Sequence, residues 1–245
     1  MVIVIMNQKG GVGKTTTAVN LAVALKRNYE RVLLVDMDPQ ANAGTHLGVR
    51  ADENNSMGSV LSGEKNIPDI VKSSEGINVA PSNISLAGVE LQIVNEVGRE
   101  MILKEILKEI NYEIVIIDCP PSLGLLSINA LTAADKIIVP VLTEYLAMEG
   151  LSDFLRTVQK VKNKLNNKLD ILGYLATGYA NTAISKNILE SLRNHFEGQV
   201  FKTVIRINTH LKEAPGVGKS IFSYKKCRGY EDYQKLGEEV YEKIK

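Results

Sequence analysis

The chain has few cysteines and no long apolar run, and each absence excludes a class of protein. Its 245 residues contain two cysteines, Cys119 and Cys227, too few for a disulfide framework and without metal-site spacing. Apolar runs are short and end in charge or proline, so no membrane-spanning helix is expected. The N-terminus has no basic region or cleavage site typical of a secretion signal, which predicts a cytoplasmic location.

Linker-like segments and internal repeats are also missing, which predicts one domain over residues 1–245. Short β-branched runs alternate with amphipathic stretches, and several runs are apolar at consecutive positions, as in strands buried on both faces. This alternation predicts an α/β fold, a doubly wound and mostly parallel sheet flanked by helices. The predicted strands are 2–6, 31–36, 77–80, 112–118, 136–141, 171–177 and 200–205. The predicted helices are 15–27, 99–110, 123–133, 148–166, 185–196 and 231–244.

Charge is distributed unevenly, although the net charge is only +1. Residues 1–155 contain 12 Lys and Arg against 19 Asp and Glu, whereas residues 156–245 contain 17 against 9. A basic C-terminal third is the expected footprint of a polyanionic partner. Chance placement of charges on solvated helices explains the same counts, so the charge asymmetry alone does not establish a polyanionic partner.

A glycine-rich segment lies between the first predicted strand and the first predicted helix. Its glycines allow the backbone to curl so that successive N–H groups point at phosphate oxygens. Lys14 would supply a charge to the β- and γ-phosphates, and the Thr15 hydroxyl would ligate Mg²⁺. The sequence therefore predicts a phosphate-binding loop for Mg-ATP. The predicted nucleotide-binding residues are Lys9, Gly10, Gly11, Val12, Gly13, Lys14, Thr15 and Thr16.

The loop departs from the usual G-x-x-x-x-G-K-[ST] pattern at two neighbouring positions. Gln8 stands where the pattern requires glycine, and Lys9 adds a second cation near the start of the loop.

Aspartates follow two of the predicted strands. Asp36 and Asp38 end the second strand, and Asp118 ends a buried apolar run. We expect Asp36 and Asp38 to point to opposite sides, so that only one faces the γ-phosphate directly. Asp118 is predicted to be the Walker B residue that binds the water ligands of the metal.

Three segments together resemble the deviant-Walker-A ATPases, and within them the ParA/Soj partition ATPases. These segments are the lysine-bearing loop 9–16, the run 36–42 (Asp-Met-Asp-Pro-Gln-Ala-Asn) and the run 118–122 (Asp-Cys-Pro-Pro-Ser). The resemblance covers nearly the whole chain, and it implies the P-loop NTPase fold.

The resemblance also implies roles for individual residues. Lys9 would reach across a dimer interface to the nucleotide of the partner subunit, as an arginine finger does. Asp38 would position the hydrolytic water, and Lys14 would act with it in catalysis. Asp36 and Asp118 would support Mg²⁺ through its waters, together with Thr15. Adenine would be recognised by Asn208 and by the backbone near Arg206.

The function implied by the resemblance is ATP-dependent DNA partition. In this family an ATP-bound homodimer binds DNA without sequence preference, and a ParB-type centromere-binding partner stimulates hydrolysis and releases it. The protein would then be associated with the nucleoid.

One stretch differs from the family where DNA contacts are expected. The family commonly has Asp-x-Arg-Thr after the strand at 171–177, whereas this chain has Ala-Asn-Thr-Ala at 180–183. DNA phosphates must therefore be bound by other cations. The predicted DNA-binding residues are Lys186, Arg193, Lys202, Lys225, Lys226 and Arg228.

Two other functions in the same superfamily are alternatives. A MinD-like positioning ATPase needs an amphipathic C-terminal helix that inserts into a membrane. Here Leu236, Val240 and Ile244 would instead pack on the sheet, and glutamates between them would repel an anionic bilayer, so no membrane partner is expected. An iron–sulfur relative needs cluster cysteines, and no C-x-x-C motif is present.

Overall fold

The computed structural model describes residues 1–144 and 150–245. In this part of the chain, seven strands form one sheet in the order β3-β4-β2-β5-β1-β6-β7. Neighbouring strands are parallel except for the β3–β4 hairpin. The predicted doubly wound, mostly parallel sheet is confirmed. The strands are β1 (Val2–Ile5), β2 (Val32–Asp36), β3 (Lys72–Ser74), β4 (Ile77–Ala80), β5 (Ile114–Asp118), β6 (Lys136–Leu142) and β7 (Asp170–Thr177).

Helices cover both faces of this sheet. They are α1 (Lys14–Leu25), α2 (Asn42–His46), α3 (Met57–Leu61), α4 (Ile67–Ile70), α5 (Ser85–Ile93), α6 (Ile102–Lys108), α7 (Leu125–Ala133), α8 (Leu151–Lys164), α9 (Ala183–His195), α10 (His210–Glu213) and α11 (Arg228–Ile244). Short 3₁₀ segments occupy Ala214–Val217 and Ile221–Ser223. None of the described helices is long and apolar enough to cross a membrane.

The consecutive apolar residues of the central strands supply two cores. In β1, Val4 packs into the core beneath α3 to α9, whereas Ile3 and Ile5 pack into the core beneath α1, α2 and α11. All three side chains are fully buried. Because both faces are covered, these strands have no polar side, which explains why their sequences do not alternate.

Some predicted elements differ from the structure. Residues 200–205 form no strand, since only isolated bridges from Val200 to Tyr174 and from Arg206 to Tyr179 tie this segment to the edge of β7. The predicted helix 99–110 is shorter, because residues 99–101 form a turn and α6 ends at Lys108. The first two residues of the predicted helix 148–166 lie outside the described residues.

The parallel register brings three loops to one edge of the sheet. In the central β5, Asp118 pairs with Asp36 of β2 on one side and with Ile5 of β1 on the other. The carboxyl ends of these strands therefore coincide, and the glycine-rich loop after β1 starts beside both aspartates. This edge is where ligands bind in open α/β sheets.

Helix α11 packs closely on α1, and its apolar face is turned inward. Leu236 and Val240 are fully buried, and Ile244 is partly buried against the same core, as expected from the sequence. At the crossing, Gly237 lies so close to α1 that an added Cβ would be 2.7 Å from the Cβ of Ala24. The close approach of the two helices therefore depends on a residue without a side chain.

We predict that Gly237→Ala destabilises the protein, although alanine favours helices by about 1 kcal/mol. Overpacking against Ala24 should lower the free energy of unfolding by about 1–3 kcal/mol, measured by urea denaturation. Gly88→Ala in α5 is the matched control, because no atom lies within 4 Å of its added Cβ. An equal gain in stability for both variants would contradict the packing argument.

Candidate nucleotide-binding site

The glycine-rich loop has the conformation that its sequence predicts. Gly11 and Gly13 have φ values of 72° and 84°, in the left-handed region that glycine adopts without strain. Gly13 is the N-cap of α1, and its carbonyl accepts the first helical hydrogen bond, from Thr17 N at 2.9 Å. Helix α1 begins at Lys14, so its N-terminal N–H groups and positive dipole end face the loop.

Two polar side chains hold this loop against the sheet, and sequence reasoning missed both. Asn7 donates from Nδ2 to the carbonyl of Pro140 at 2.7 Å, and its Oδ1 accepts from Lys9 N at 3.0 Å. Thr177, at the end of β7, donates from Oγ1 to the carbonyl of Val12 at 2.9 Å. An asparagine directly after a strand is a local turn signal that could have indicated Asn7. Thr177 carries no such signal, because its partner is 165 residues away.

Lys14 lies in the centre of the loop rather than in solvent. Its side chain is buried, and Nζ donates to the carbonyl of Lys9 at 3.1 Å. Burial lowers the pKa of Lys14, while the neighbouring Asp118 and Asp38 oppose that shift. The cation is thus fixed in place before any phosphate arrives.

A cleft of about 400 Å³, here called the phosphate cleft, opens above the loop. Asp38 lines it, and Oδ1 of Asp38 accepts a hydrogen bond from Gln40 N at 2.9 Å. Asp36 does not line it. The lining residues are Gly10, Gly11, Gly13, Lys14, Thr15, Thr16, Asp38, Gln40, Asn42 and Pro121.

Asp36 is fully buried and braces the turn that carries Asp38. Its two oxygens accept hydrogen bonds from Asp38 N at 3.1 Å and from Gly44 N at 3.0 Å. Burial raises the pKa of Asp36 to about 7, against the lowering effect of these hydrogen bonds. Through them Asp36 ties the end of β2 to α2, so it sets the position of the loop between them.

The third aspartate of the site, Asp118, lies at the end of β5. It is fully buried, and neither carboxylate oxygen has a hydrogen-bond partner among the described residues. Burial raises the pKa of Asp118 well above its usual range, Asp36 adds to this, and the Thr15 hydroxyl lowers it only in part. A buried carboxylate without a partner is costly unless a ligand compensates it.

The Mg²⁺ implied by the loop fits this arrangement. Hard oxygen donors, the Thr15 hydroxyl and the carboxylates of Asp118 and Asp38, border the phosphate cleft or lie just beneath it. Within residues 1–144 and 150–245 no cluster of three His, Cys, Asp or Glu could hold a metal by itself. This suits Mg²⁺, which keeps several waters and takes further ligands from phosphates. Bound there, the ion would neutralise charge on the phosphates.

A second cleft, of about 370 Å³, adjoins the first at Gly11, Gly13 and Thr16. Asn208 lines it, and Oδ1 of Asn208 accepts from His210 N at 2.9 Å. The other lining residues include Leu142, Thr177, Gly178, Ile205, Arg206, Ile207, Leu211, Lys212 and Tyr233. Apolar walls with a few polar groups suit a flat heterocycle, so we name this the base cleft.

The guanidinium of Arg206 is engaged elsewhere. It binds both oxygens of Asp232 at 2.6–3.0 Å and Glu231 at 3.0 Å, all on α11, and this raises its pKa. The sequence prediction placed Arg206 near adenine through its backbone. In the structure Arg206 lines the base cleft, while the carboxylates of α11 hold its guanidinium.

The six cations predicted to bind DNA are all exposed, but they do not share one layer of the fold. Lys186 and Arg193 lie on α9, which covers one face of the sheet. Lys225, Lys226 and Arg228 lie at the start of α11, which covers the other face. Lys202 lies in the extended segment between them, where its N–H donates to Glu239 at 2.8 Å.

The sheet topology, the loop with left-handed glycines before α1 and the aspartates at adjoining strand ends define a P-loop nucleotide-binding protein.

Comparison with known proteins narrows this class. A model of the AAA domain family matches residues 1–171. The sporulation initiation inhibitor protein Soj of Bacillus subtilis is 47% identical, with 98% of this chain and 97% of Soj covered. The chromosome partitioning protein ParA of Caulobacter vibrioides is 42% identical, with 98% and 93% covered.

A solved structure agrees with these sequence relatives. Cobyrinic acid a,c-diamide synthase from Mycobacterium smegmatis, determined with an ATP analogue and magnesium, superimposes with a TM-score of 0.85 at 36% identity. The match covers 97% of this chain and 92% of that one. The chain belongs to the ParA/Soj family of P-loop ATPases.

We predict that Asp118→Asn stabilises the nucleotide-free protein while it weakens Mg-ATP binding. Removing a buried carboxylate without a partner should raise the melting temperature at pH 8 by about 2–8 °C. Mg-ATP should raise the melting temperature of the wild type further, and EDTA should remove this second increase. In the variant the increase with Mg-ATP should be absent. Asp153→Asn on α8, an exposed carboxylate, is the matched control and should change neither value. A lower melting temperature of Asp118→Asn without nucleotide would count against the electrostatic argument.

Proposed function

We propose that the protein is an ATP-driven DNA partition ATPase. Mg-ATP would bind in the two clefts and produce a homodimer, which binds DNA of any sequence. Hydrolysis, stimulated by a ParB-type partner, would release the DNA. This cycle would take place in the cytoplasm, on the nucleoid. The family membership and the names of the two curated relatives support the assignment.

The observation that carries the proposal is the second lysine of the loop. Lys14 already lies among the N–H groups of the loop, with Nζ on the carbonyl of Lys9. The backbone of Lys9 is fixed on both sides, since its N–H donates to Asn7 while its carbonyl accepts from Lys14. The same subunit therefore has its phosphate cation without Lys9. A second cation on a held backbone at this edge suits the nucleotide of a second copy, where it would counter charge on the transferred phosphoryl group.

Hydrolysis would use Asp38, the aspartate that lines the phosphate cleft. The hydrogen bond from Gln40 N fixes its carboxylate, and Asp36 fixes the backbone of the same turn. Asp38 would hold the attacking water in line with the γ-phosphate, while Lys14 and Mg²⁺ balance the phosphate charge. Asp118 would hold water ligands of the ion.

DNA binding would rest on the basic C-terminal third. The exposed cations lie on α9 and at the start of α11, which cover opposite faces of the sheet. One subunit presents them on two layers, so a dimer would present several small basic groups rather than one groove. Such contacts neutralise phosphates without reading bases, and the affinity should fall steeply with salt.

A MinD-like membrane role receives less support from the same structure. The apolar residues Leu236 and Val240 of α11 are buried against the core and could reach a bilayer only if the helix detached. Cobyrinic acid a,c-diamide synthesis is the activity for which the Mycobacterium smegmatis protein is named, and the relatives at higher identity favour partition for this chain.

We predict that Lys9→Ala abolishes nucleotide-dependent dimerisation and DNA binding but spares ATP affinity. The affinity for a fluorescent ATP analogue should change less than about threefold, whereas ATP turnover with DNA present should fall about 100-fold or more. Dimerisation is measured by light scattering with Mg-AMP-PNP, and DNA binding by co-sedimentation with plasmid DNA at low salt.

Gln8→Ala, an exposed neighbour in the same loop, is the matched control and should behave as the wild type. If Lys9→Ala eliminated ATP binding itself, Lys9 would be a ligand of its own subunit's nucleotide and the dimer argument would fail. DNA binding by the wild type that is equal with and without nucleotide would refute the proposed switch.

A further inference from the structure

Exposed apolar side chains are concentrated on α5 and in the residues that flank it. Ile84, Leu91, Val94 and Val97, here called the α5 row, are 71%, 75%, 41% and 102% exposed. Eight large apolar side chains are exposed in the described part of the chain, and half of them fall within these 14 residues. Singly scattered apolar residues need no explanation, but a concentration of this kind marks an interaction surface.

The α5 row carries little charge. Between residues 84 and 98 the only charged side chains are Glu90 and Glu96. Glu90 turns inward, because its Oε1 accepts a hydrogen bond from Leu126 N at the start of α7. A surface with one outward acid does not suit DNA, whose binding requires cations. It suits another uncharged apolar surface, and a two-fold contact between identical rows meets this condition without any further partner.

The loop that carries Asp38 reaches one end of this row. Ile84 lines a small cleft of about 320 Å³ together with Pro39 and Gln40, the two residues that follow Asp38. Gln40 also lines the phosphate cleft. The surface at Ile84 is therefore continuous with the face of the protein on which Lys9 would meet a second copy.

The loop that follows Asp118 also rests on α5. Pro121 of this loop lines the phosphate cleft, and the loop ends at Gly124. A Cβ at Gly124 would lie 2.5 Å from Oε1 of Glu90, so the loop end and α5 are in close contact. The segment after Asp118 thus packs against α5, and the segment after Asp38 borders a cleft with Ile84 at the start of α5.

An apolar cleft adjoins the far end of the row. It has a volume of about 420 Å³ and is lined by Val60, Leu61, Val97, Met101, Ile102 and Ile106, among others. The surface therefore has both protruding apolar side chains and a recess of the same chemistry, as a self-complementary contact requires.

We infer that the α5 row is a contact surface of the nucleotide-bound homodimer, where it packs against a second copy of this chain. The inference rests on the proposed function, since it names the surface through which that dimer forms. Because one nucleotide-facing loop packs on α5 and the other borders the cleft at Ile84, ATP would influence the position of the row and so make the contact nucleotide-dependent.

The test measures self-association of the full chain by sedimentation velocity with Mg-AMP-PNP. The variants are Leu91→Glu and Val97→Glu, made separately, and Ile184→Glu on α9 is the matched control. Ile184 is 62% exposed and lies beside β7, at the other end of the sheet from β4, which precedes α5. Each change replaces one exposed apolar side chain by one carboxylate, so folding should be unaffected, which melting temperatures check.

We expect the dimer dissociation constant of Leu91→Glu and Val97→Glu to rise at least about tenfold, because a carboxylate buried in an apolar contact loses its hydration. The Ile184→Glu constant should stay within about threefold of wild type, and monomeric affinity for a fluorescent ATP analogue should be unchanged in all three variants.

If the wild type dimerised and both α5 variants dimerised equally well, the inference would be overturned while the proposed function stood. Unchanged dimerisation with lost stimulation by a ParB-type protein would also overturn it, since the row would then serve that partner. If the wild type itself stayed monomeric with Mg-AMP-PNP, the proposed function would fail first.

Discussion

The structure depends on the parallel register of β5 between β1 and β2. This register sets Asp118 opposite both Asp36 and Ile5, so that the strand ends and the loop after β1 meet at one edge. The apolar residues that precede these ends are buried on both faces, which leaves the strands no freedom to slip by one residue. Hydrophobic packing of the strands thus fixes the distances among the charged side chains at their ends, although these side chains are not part of the apolar core.

Those charged groups are electrostatically unsatisfied without a ligand. Asp38 and Asp118 act electrostatically on one cation, Lys14, and burial disfavours the charged forms of Lys14, Asp36 and Asp118. Backbone N–H groups donate hydrogen bonds to Asp36, whereas neither oxygen of Asp118 accepts a hydrogen bond from the described residues. Asp118 therefore lowers the stability of the ligand-free protein at a position where a hydrated metal ion would compensate its charge. Such local destabilisation is typical of binding sites.

Much of this could be predicted from the sequence, because the determining signals are local. The glycines before Lys14, the apolar runs and the aspartates that follow them each lie within a segment of about ten residues. From these segments the phosphate loop, the parallel sheet and the positions of the strand ends could be predicted. The 3-residue β3 and the 5-residue α2 are shorter than any periodic pattern, so they were missed. Residues 200–205 have strand-like composition, but their pairing with β7 depends on a distant partner.

The same limit applies to individual side chains of the site. Thr177 and Asp232 form hydrogen bonds with residues that are distant in sequence, and no sequence spacing predicts such contacts. Arg206 was expected near adenine through its backbone, and the partner of its guanidinium on α11 could not be seen in the sequence. The role of a side chain was predictable where the local backbone positions it, as in the phosphate loop. It was not predictable where its partner comes from a distant part of the chain, as for Thr177 and Asp232.

Helix α11 joins the base cleft to the phosphate loop. Asp232 holds Arg206, the neighbouring Tyr233 hydroxyl lies 3.2 Å from Oγ1 of Thr17 on α1, and Gly237 admits close contact with the same helix. Buried polar contacts of this kind restrict thermal motion, so the wall that holds the base is ordered before nucleotide arrives. Binding of the base should then cost little conformational entropy, because the wall of the base cleft needs no ordering when the nucleotide enters.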